Sequence, residues 1–331
     1  GPNGIASGYT ARVAIADLSR DGLPDVLMIN QEQRSIFLFR GDGRGGVGAF
    51  ALTTLPEAPN AIGAIADYDK DGFADAPLGF GASLRLYQGS TAGTFTSNVS
   101  TGDAFFSQAS TATADFDRDG IADLAIAGTS GVKVLLGRSP SAFQMSRLAS
   151  NKVSNGVVAG DFNGDGFADL IRIDGGAFGI GPSYFMPGRG DGTFGAEATI
   201  SSGSSLQFPA DLNNDGKLDL IFNGYSILGK GDGTFGSNTI NGTLGDVLAV
   251  ADLNLDRIPD VVEATAKTPD VRVYYGRGDG TFTQSGLAIA ATVSVSSLAI
   301  GDLDGNGIPD IVIGNYTTAT TPQPLDIILL Q

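Results

Sequence analysis

The chain has 331 residues, with 20 basic and 36 acidic side chains, and carries a formal net charge of −16. This charge argues against a nucleic-acid partner and against anionic membrane surfaces. Cysteine and histidine are both absent, which excludes disulfides, thiolate metal sites and the commonest general base of enzymes. No apolar run approaches the ~18 residues of a membrane helix, so we expect no membrane insertion. No signal peptide is visible, and because Gly1 and Pro2 resemble a tag remnant, we expect that any export signal has been removed.

An aspartate-rich nonapeptide occurs seven times, at intervals of 41 to 50 residues. The copies span residues 17–25, 67–75, 115–123, 161–169, 211–219, 252–260 and 302–310. We number them loops one to seven in chain order, and we number the positions within each loop from 1 to 9. A period of this size is typical of repeat architectures such as propellers.

Strand-like segments surround each loop in a constant order. In the first repeat, RVAIA (12–16) precedes the loop, and VLMI (26–29) and SIFLF (35–39) follow it. A glycine-rich turn and a fourth segment complete the repeat. Turn signals every 8–12 residues between β-branched and aromatic runs indicate antiparallel strands, and four strands in ~47 residues make one propeller blade. The residue before each loop is always alanine or glycine, which indicates a crowded position.

The sequence therefore predicts an all-β fold, a seven-bladed β-propeller of four-stranded antiparallel blades, as a single domain over residues 1–331. The last repeat ends at PLDIILLQ (324–331), which supplies only a third strand. Residues 3–9 precede the first loop without a blade of their own. We expect this N-terminal segment to close the ring as the outer strand of the last blade, because closure removes an open sheet edge.

The loops carry oxygen atoms at fixed places. Side-chain oxygens stand at positions 1, 3, 5 and 9, and we expect a backbone carbonyl near position 7 to join them. Six to eight hard oxygen ligands at ~2.3–2.6 Å suit Ca²⁺, whereas Mg²⁺ keeps waters and prefers fewer protein ligands. The spacing follows the start of an EF-hand loop, although the closing acid comes at position 9.

We therefore predict up to seven Ca²⁺ ions, one for each blade. The predicted ligands are, loop by loop, Asp17, Ser19, Asp21, Leu23 and Asp25; Asp67, Asp69, Asp71, Phe73 and Asp75; Asp115, Asp117, Asp119, Ile121 and Asp123; Asp161, Asn163, Asp165, Phe167 and Asp169; Asp211, Asn213, Asp215, Lys217 and Asp219; Asp252, Asn254, Asp256, Ile258 and Asp260; and Asp302, Asp304, Asn306, Ile308 and Asp310. Metal-free β-turns with Asx hydrogen bonds are the alternative, but turns alone do not require oxygens at four fixed positions.

The seven loops differ in charge. Loops two and three carry four carboxylates each, and we predict that they bind Ca²⁺ most tightly. Ser19 is a weaker ligand at position 3 of loop one. Arg257 replaces glycine at position 6 of loop six, where it strains the backbone and places a cation beside the ion. We therefore predict that loop six, from Asp252 to Asp260, is the weakest site.

Glycine-rich turns lie between the third and fourth segments of several repeats. They read GRGDGTFG (188–195), GKGDGTFG (229–236) and GRGDGTF (276–282), with a looser copy at 40–50. We interpret the glycines as turn residues with positive φ and the phenylalanines as anchors of the fourth strand. Three turns contain the Arg-Gly-Asp tripeptide, at residues 40–42, 189–191 and 277–279. Because lysine replaces this arginine in one copy, the turn accounts for the tripeptide better than cell adhesion does.

Seven D-x-[DN]-x-DG-x-x-D loops in phase with GxGDGTFG turns resemble the FG-GAP/VCBS repeat family, whose propeller also occurs in integrin α-subunit heads and some fungal lectins. The resemblance covers about residues 10–315. It implies a seven-bladed propeller with Ca²⁺ in the loop between the first and second strands of each blade. It does not define a ligand. A metal loop in every blade is closer to bacterial secreted repeats and to the lectins than to integrin heads.

We expect a non-catalytic, calcium-binding interaction or adhesion module that is monomeric and bacterial, with a protein or glycan ligand on one propeller face. Extracellular or cell-surface location is expected because millimolar Ca²⁺ would fill the loops there, and submicromolar cytosolic Ca²⁺ would not.

One alternative is a calcium-stabilised, multivalent glycan-binding lectin with pockets between blades. Tryptophan is absent, and the tyrosines fall at unlike blade positions, so packing explains most of them better. The candidates are Tyr68, Tyr87, Tyr184, Tyr225, Tyr274, Tyr275 and Tyr316. A polysaccharide-active enzyme is disfavoured because the acids outside the loops, such as Glu197 and Glu263, show no pairing in the sequence.

Overall fold

The fold is seen in a computed structural model that describes residues 9–59, 61–80, 83–90, 92–100, 111–139, 142–174, 181–204, 206–240, 247–264, 270–291, 295–317 and 325–330. All regular structure in these ranges is β-strand. They contain no helix that could span a membrane.

The first three blades are formed by consecutive strands. Blade one contains β1 (Tyr9–Ala16), β2 (Asp25–Asn30), β3 (Ser35–Gly41) and β4 (Val47–Thr54). Blade two contains β5 (Ala61–Ile62), β6 (Ala76–Phe80), β7 (Ser83–Gln88) and β8 (Thr96–Ser100). Blade three contains β9 (Thr111–Ala114), β10 (Asp123–Gly128), β11 (Gly131–Arg138) and β12 (Ala142–Ser150).

The remaining blades follow the same order. Blade four contains β13 (Ser154–Gly160), β14 (Asp169–Asp174), β15 (Gly181–Met186) and β16 (Ala198–Ser204). Blade five contains β17 (Leu206–Ala210), β18 (Asp219–Phe222), β19 (Tyr225–Ile227) and β20 (Thr239–Ile240). Blade six contains β21 (Val247–Ala251), β22 (Asp260–Ala264), β23 (Asp270–Gly276) and β24 (Phe282–Ala290). Blade seven contains β25 (Val295–Gly301), β26 (Asp310–Thr317) and β27 (Leu325–Ile328).

Each blade is an antiparallel sheet of sequential strands, which confirms the predicted seven-bladed propeller. The ring closes where β1 meets the last blade, with Tyr9 opposite Thr317 and Thr10 opposite Tyr316. This pairing joins blades seven and one into one sheet and confirms that the N-terminal strand reaches the last blade. The proposed outer strand falls mostly on residues 3–8, which lie outside the described residues.

The hydrophobic core lies between neighbouring blades. Every residue of β2 is buried, because its two faces are covered by different blades. Leu27 and Ile29 pack with blade two, whereas Val26 and Met28 pack with blade seven. The second strands are therefore apolar on both faces, as in other sheets covered on both sides.

The small residue before each loop lies against the next blade. A Cβ atom on Gly160 would come within 2.4 Å of Leu218 Cδ1 in blade five. One on Gly301 would come within 2.9 Å of Ile15 Cγ2 in blade one. These close approaches confirm the crowding predicted from the alanine and glycine pattern.

The glycine-rich turns connect adjacent blades as well as adjacent strands. Gly192 N–H of blade four donates to Phe116 O in loop three at 2.9 Å, and Gly233 N–H of blade five donates to Phe162 O in loop four at 3.1 Å. Both glycines have positive φ, as predicted. The ring of Phe194 packs edge-on against Phe116, with 5.5 Å between ring centroids. The turn phenylalanine therefore anchors blade to blade, beyond the role predicted for it within its own blade.

We predict that Gly233→Ala destabilises the protein more than Gly286→Ala. Both glycines have φ of +77°, so the backbone strain of alanine, about 1–2 kcal/mol, is shared. A Cβ on Gly233 would lie 2.5 Å from Phe185 of blade four, whereas one on Gly286 meets no atom within 4 Å. Overpacking at the blade interface should add about 1–3 kcal/mol. Chemical denaturation measures this difference, and equal losses would contradict the role of the turn between blades.

Candidate metal centre

All seven loops share one backbone conformation. Positions 4 and 6 have positive φ in every copy, with values from 57° to 91°. Glycine adopts this region without cost, whereas other residues are strained there. Arg257 at position 6 of loop six has φ of +71°, which confirms the backbone strain predicted for that loop.

The carboxylates of positions 1 and 5 are held by backbone N–H groups of their own loop. In loop two, Asp67 Oδ1 accepts from Asp71 N–H at 3.2 Å and Asp67 Oδ2 accepts from Gly72 N–H at 2.8 Å. Asp71 Oδ1 accepts from Phe73 N–H at 2.8 Å. Side-chain oxygens at position 5 accept from position 7 in every loop. These bonds orient the predicted ligands and leave further lone pairs available to a cation.

The aspartate at position 9 joins three segments of its blade. In all seven blades this aspartate has no solvent exposure; the residues are Asp25, Asp75, Asp123, Asp169, Asp219, Asp260 and Asp310. In loop four, Asp169 Oδ2 accepts from Phe162 N–H at 2.9 Å, and Oδ1 accepts from Gly188 N–H at 2.7 Å. The same two bonds recur in the other blades, with Leu330 as the second donor in blade seven. We call this residue the closing aspartate.

The second donor is glycine in six blades because the backbone of position 8 touches it. A Cβ on Gly188 would lie 2.1 Å from Ala168 O, and one on Gly229 would lie 2.1 Å from Leu218 O. This first glycine of the turn therefore allows a close backbone approach and does not have the positive φ that the sequence pattern predicts for it.

Burial raises the pKa of five closing aspartates in the metal-free chain, namely Asp75, Asp123, Asp169, Asp219 and Asp260. The pKa is raised to about 7 for Asp75 and Asp123 and to about 6 for Asp169 and Asp219. Loss of hydration is the main cause; the two backbone N–H donors oppose it and neighbouring loop carboxylates add to it. These buried carboxylates therefore favour a nearby positive charge.

Three loops bring three carboxylates together. The groups are Asp67, Asp69 and Asp71 in loop two, Asp115, Asp117 and Asp123 in loop three, and Asp302, Asp304 and Asp310 in loop seven. One oxygen from each member lies within 4.8 Å of the others. Among the described residues no other loop forms such a group, since position 3 is serine or asparagine in the other four.

The donor set fits a hard cation. At position 3, Ser19 Oγ and Asp117 Oδ1 are buried and have no hydrogen-bond partner among the described residues. A buried acceptor without a partner costs about 1–3 kcal/mol, and a bound cation would satisfy it. Oxygen-only ligands from carboxylates, hydroxyls and amides match the preference of Ca²⁺. The backbone carbonyls of position 7 stay a prediction as ligands. The hydrogen bonds described for position 7 involve its N–H group and not its carbonyl.

Basic residues at position 4 reach from one loop to the next. The Arg20 guanidinium lies 5.1 Å from the ring centroid of Phe73, and Arg118 lies 5.2 Å from that of Phe167. Such contacts contribute about 0.5–1 kcal/mol at exposed sites. Sequence reasoning missed them, although a basic residue at position 4 before an aromatic residue at position 7 of the next loop is a readable signal.

Blade four contains a buried ion pair outside the loops. Arg172 has no solvent exposure, and its Nε and Nη2 atoms bind the Glu197 carboxylate at 2.9 and 2.8 Å. The guanidinium also lies 4.3 Å from the ring centroid of Tyr184. The hydrogen bond from Arg172 lowers the pKa of Glu197 to about 2. Glu197 is therefore ionised and unsuited to act as a general acid.

The fold and the repeated acidic loops define a seven-bladed β-propeller built from one recurring sequence repeat. The FG-GAP-like repeat matches residues 7–76, 115–172 and 252–313, together more than half of the chain. The chain belongs to the FG-GAP-like repeat family. No curated protein matches it by sequence.

Solved structures share the fold at low sequence identity. A lectin from Agrocybe aegerita that recognises non-reducing terminal N-acetylglucosamine is 19% identical, with a TM-score of 0.65 over 96% of this chain and 94% of the lectin. BBS1N, solved in complex with ARL6DN, is 13% identical, with a TM-score of 0.60 over 98% of this chain and 93% of its own. A rhamnogalacturonan lyase from Bacillus licheniformis is 13% identical, with a TM-score of 0.52 over 93% of this chain and 60% of the lyase.

We predict that the metal-free protein loses stability as the pH rises from about 5 to 8. In the folded chain Asp75, Asp123, Asp169 and Asp219 have a pKa above the ordinary value near 3.9 of an unfolded aspartate. Their contribution is complete at low pH and is lost as the pH rises through about 6 to 7. Thermal unfolding in chelator measures this. Asp75→Asn should make the pH dependence shallower, and a Tm that is constant or rises over this range would contradict it.

Proposed function

We propose that this chain is a non-catalytic, extracellular interaction module whose blades are stabilised by Ca²⁺ bound in the acidic loops. One observation carries the proposal: seven loops with positive φ at positions 4 and 6 present oxygens at the same positions, and three of them gather three carboxylates within 4.8 Å. Carboxylates at this separation repel one another unless a cation lies among them. The ligands would come from positions 1, 3, 5 and 9 of each loop.

Bound Ca²⁺ would supply positive charge and would link oxygens that otherwise repel. The closing aspartate would transmit this stabilisation, since it bonds to the loop and to the turn after the third strand. An extracellular location is supported by the low affinity expected of loops that are largely exposed at positions 4 to 6. Loops of this kind would fill at millimolar Ca²⁺.

A non-catalytic role is supported by the state of the acids outside the loops. Glu197 is committed to Arg172, and the buried Glu263 lies 3.9 Å from Arg272 Nη1. Glycoside hydrolysis needs one carboxylic acid that is kept protonated, and the ion pair with Arg172 lowers the pKa of Glu197 and keeps it ionised.

A calcium-stabilised, multivalent glycan-binding lectin is the second candidate. Its support is the overlap with the Agrocybe aegerita lectin over almost the whole of both chains. Among the candidate tyrosines, Tyr68 and Tyr87 are buried, and Tyr225 stacks on Phe222 with 4.7 Å between ring centroids. Half-buried Tyr184 already has the Arg172 guanidinium against its ring, and the side chain of Tyr316 lies outside the described part of the chain. Half-buried Tyr274 and Tyr275 remain as residues on which a sugar ring could stack.

We predict that millimolar Ca²⁺ raises the Tm by several degrees over chelator, because each site filled at about 100 times its Kd adds about 2.7 kcal/mol. Mg²⁺ at the same concentration should give a smaller rise. Asp71→Asn keeps the acceptor for Phe73 N–H and removes one ligand charge from loop two, so it should reduce the rise. Asp270→Asn, an equal charge change on an exposed strand residue, is the matched control. Equal Tm in Ca²⁺ and chelator would contradict the calcium proposal.

A glycan array separates the two candidate functions. We expect the labelled protein in millimolar Ca²⁺ to bind no coherent set of sugars if it is a protein-binding module. Binding to one class of glycan that is lost in chelator would favour the lectin instead. Tyr275→Ala should then weaken that binding. The Tm of this variant, compared with that of the unmodified protein, checks that it is still folded.

A further inference from the structure

Loop three contains a basic side chain among its carboxylates. Arg138 lies at the end of β11, and its Nη2 atom donates to Asp117 Oδ2. Its Nη1 atom donates to Asp119 Oδ2 at 2.7 Å. The Arg138 side chain is 26% exposed and that of Asp117 is 11% exposed, so this ion pair is largely shielded from water. Such charge-assisted bonds from guanidinium to carboxylate are among the stronger hydrogen bonds in proteins.

The same position of other blades shows why Arg138 turns inward. Arginine or lysine follows the first glycine of the turn in blades four, five and six as Arg189, Lys230 and Arg277. These side chains are exposed, and none forms an ion pair with its own loop in the described part of the chain. Position 3 of those loops is asparagine, whereas loop three has Asp117. The inward turn of the basic residue therefore accompanies the extra carboxylate.

Loop two has the aspartate at position 3 but lacks the basic residue after the first glycine of the turn. It has Asp69 at position 3, like loop three, but Ser90 at the position of Arg138. Asp69 Oδ2 accepts a hydrogen bond from neutral Gln88 Nε2 instead. Loops two and three thus carry the same four carboxylates, but only in loop three of this pair does a described basic side chain bond to them; at loop two the Arg20 guanidinium donates to the Asp71 carbonyl instead, at 3.5 Å.

We propose that Arg138 is a resident cation that stabilises loop three without Ca²⁺ and makes this loop a weaker Ca²⁺ site than loop two. The inference rests on the proposed calcium function, and it separates two loops that rank equally on carboxylate count. Ca²⁺ at Asp117 must either displace the guanidinium or bind a few ångströms from it. Even at the dielectric constant of water, a divalent and a monovalent cation at ~5 Å repel enough to lower affinity about tenfold. A guanidinium cannot relieve this by losing its proton.

The experiment compares Arg138→Ser, which installs the residue of blade two, with Arg189→Ser as the matched control. Calorimetric titration and native mass spectrometry with Ca²⁺ alone give affinities and ions bound per chain. We expect Arg138→Ser to gain one tight site or to strengthen one site about tenfold, and Arg189→Ser to match the unmodified protein. An unchanged titration for Arg138→Ser, in a protein that binds Ca²⁺ elsewhere, would overturn the inference.

A second measurement in chelator is independent of calcium binding. Arg138→Ser should lower the Tm more than Arg189→Ser, because it leaves Asp117 buried without its counter-charge. The loss should largely disappear in the Asp117→Asn background, which gives loop three the asparagine of loop four. Equal Tm values for the two arginine variants would overturn the resident-cation role. Absence of Ca²⁺ binding by every variant would instead refute the proposed function, with the chelator comparison still deciding the role of Arg138.

Discussion

The closing aspartate is the interaction on which the rest of each blade depends. It is a fully buried carboxylate that receives one backbone N–H from the loop and another from the turn after the third strand. A buried anion with two neutral donors is held in place but is not neutralised. The other oxygens of the loop converge on the same region in loops three and seven. The way in which the blade is closed therefore favours a cation near these oxygens, which supports the calcium proposal.

The loops also connect the blades into a ring. The residue at position 2 is apolar and buried in every loop, as with Phe162 and Leu212, and in loops three and four its carbonyl accepts a bond from the next blade's glycine-rich turn. A cation that stiffens a loop would thereby stiffen the contact between blades. A rigid ring of loops is a suitable support for an interaction surface, because preorganised surfaces lose less conformational entropy on binding.

The sequence was sufficient for features that repeat, and insufficient for contacts that depend on one pair of side chains. The phase of seven loops predicted the blade number and placed every loop between a first and a second strand. The strand AIGAIA (61–66) is shorter than its pattern indicates, since β5 ends at Ile62 and only Ala66 makes a further bridge, to Asp75. The number of carboxylates in a loop could not predict that Arg138 bonds to loop three, because Arg189 occupies the same position of its own blade and is exposed to solvent. Its direction depends on an aspartate 21 residues away, which periodicity does not report.

Anomalous diffraction from crystals grown in millimolar Ca²⁺ would show directly whether the acidic loops bind the ion. We expect anomalous density peaks bounded by positions 1, 3, 5 and 9 of the loops, with ligand distances of about 2.3–2.6 Å. The peak in loop two should be stronger than that in loop three, where the Arg138 guanidinium takes part of the ligand set. Loops without any peak, in crystals whose Ca²⁺ is free and abundant, would refute calcium binding and would leave the loops as hydrogen-bonded, metal-free turns.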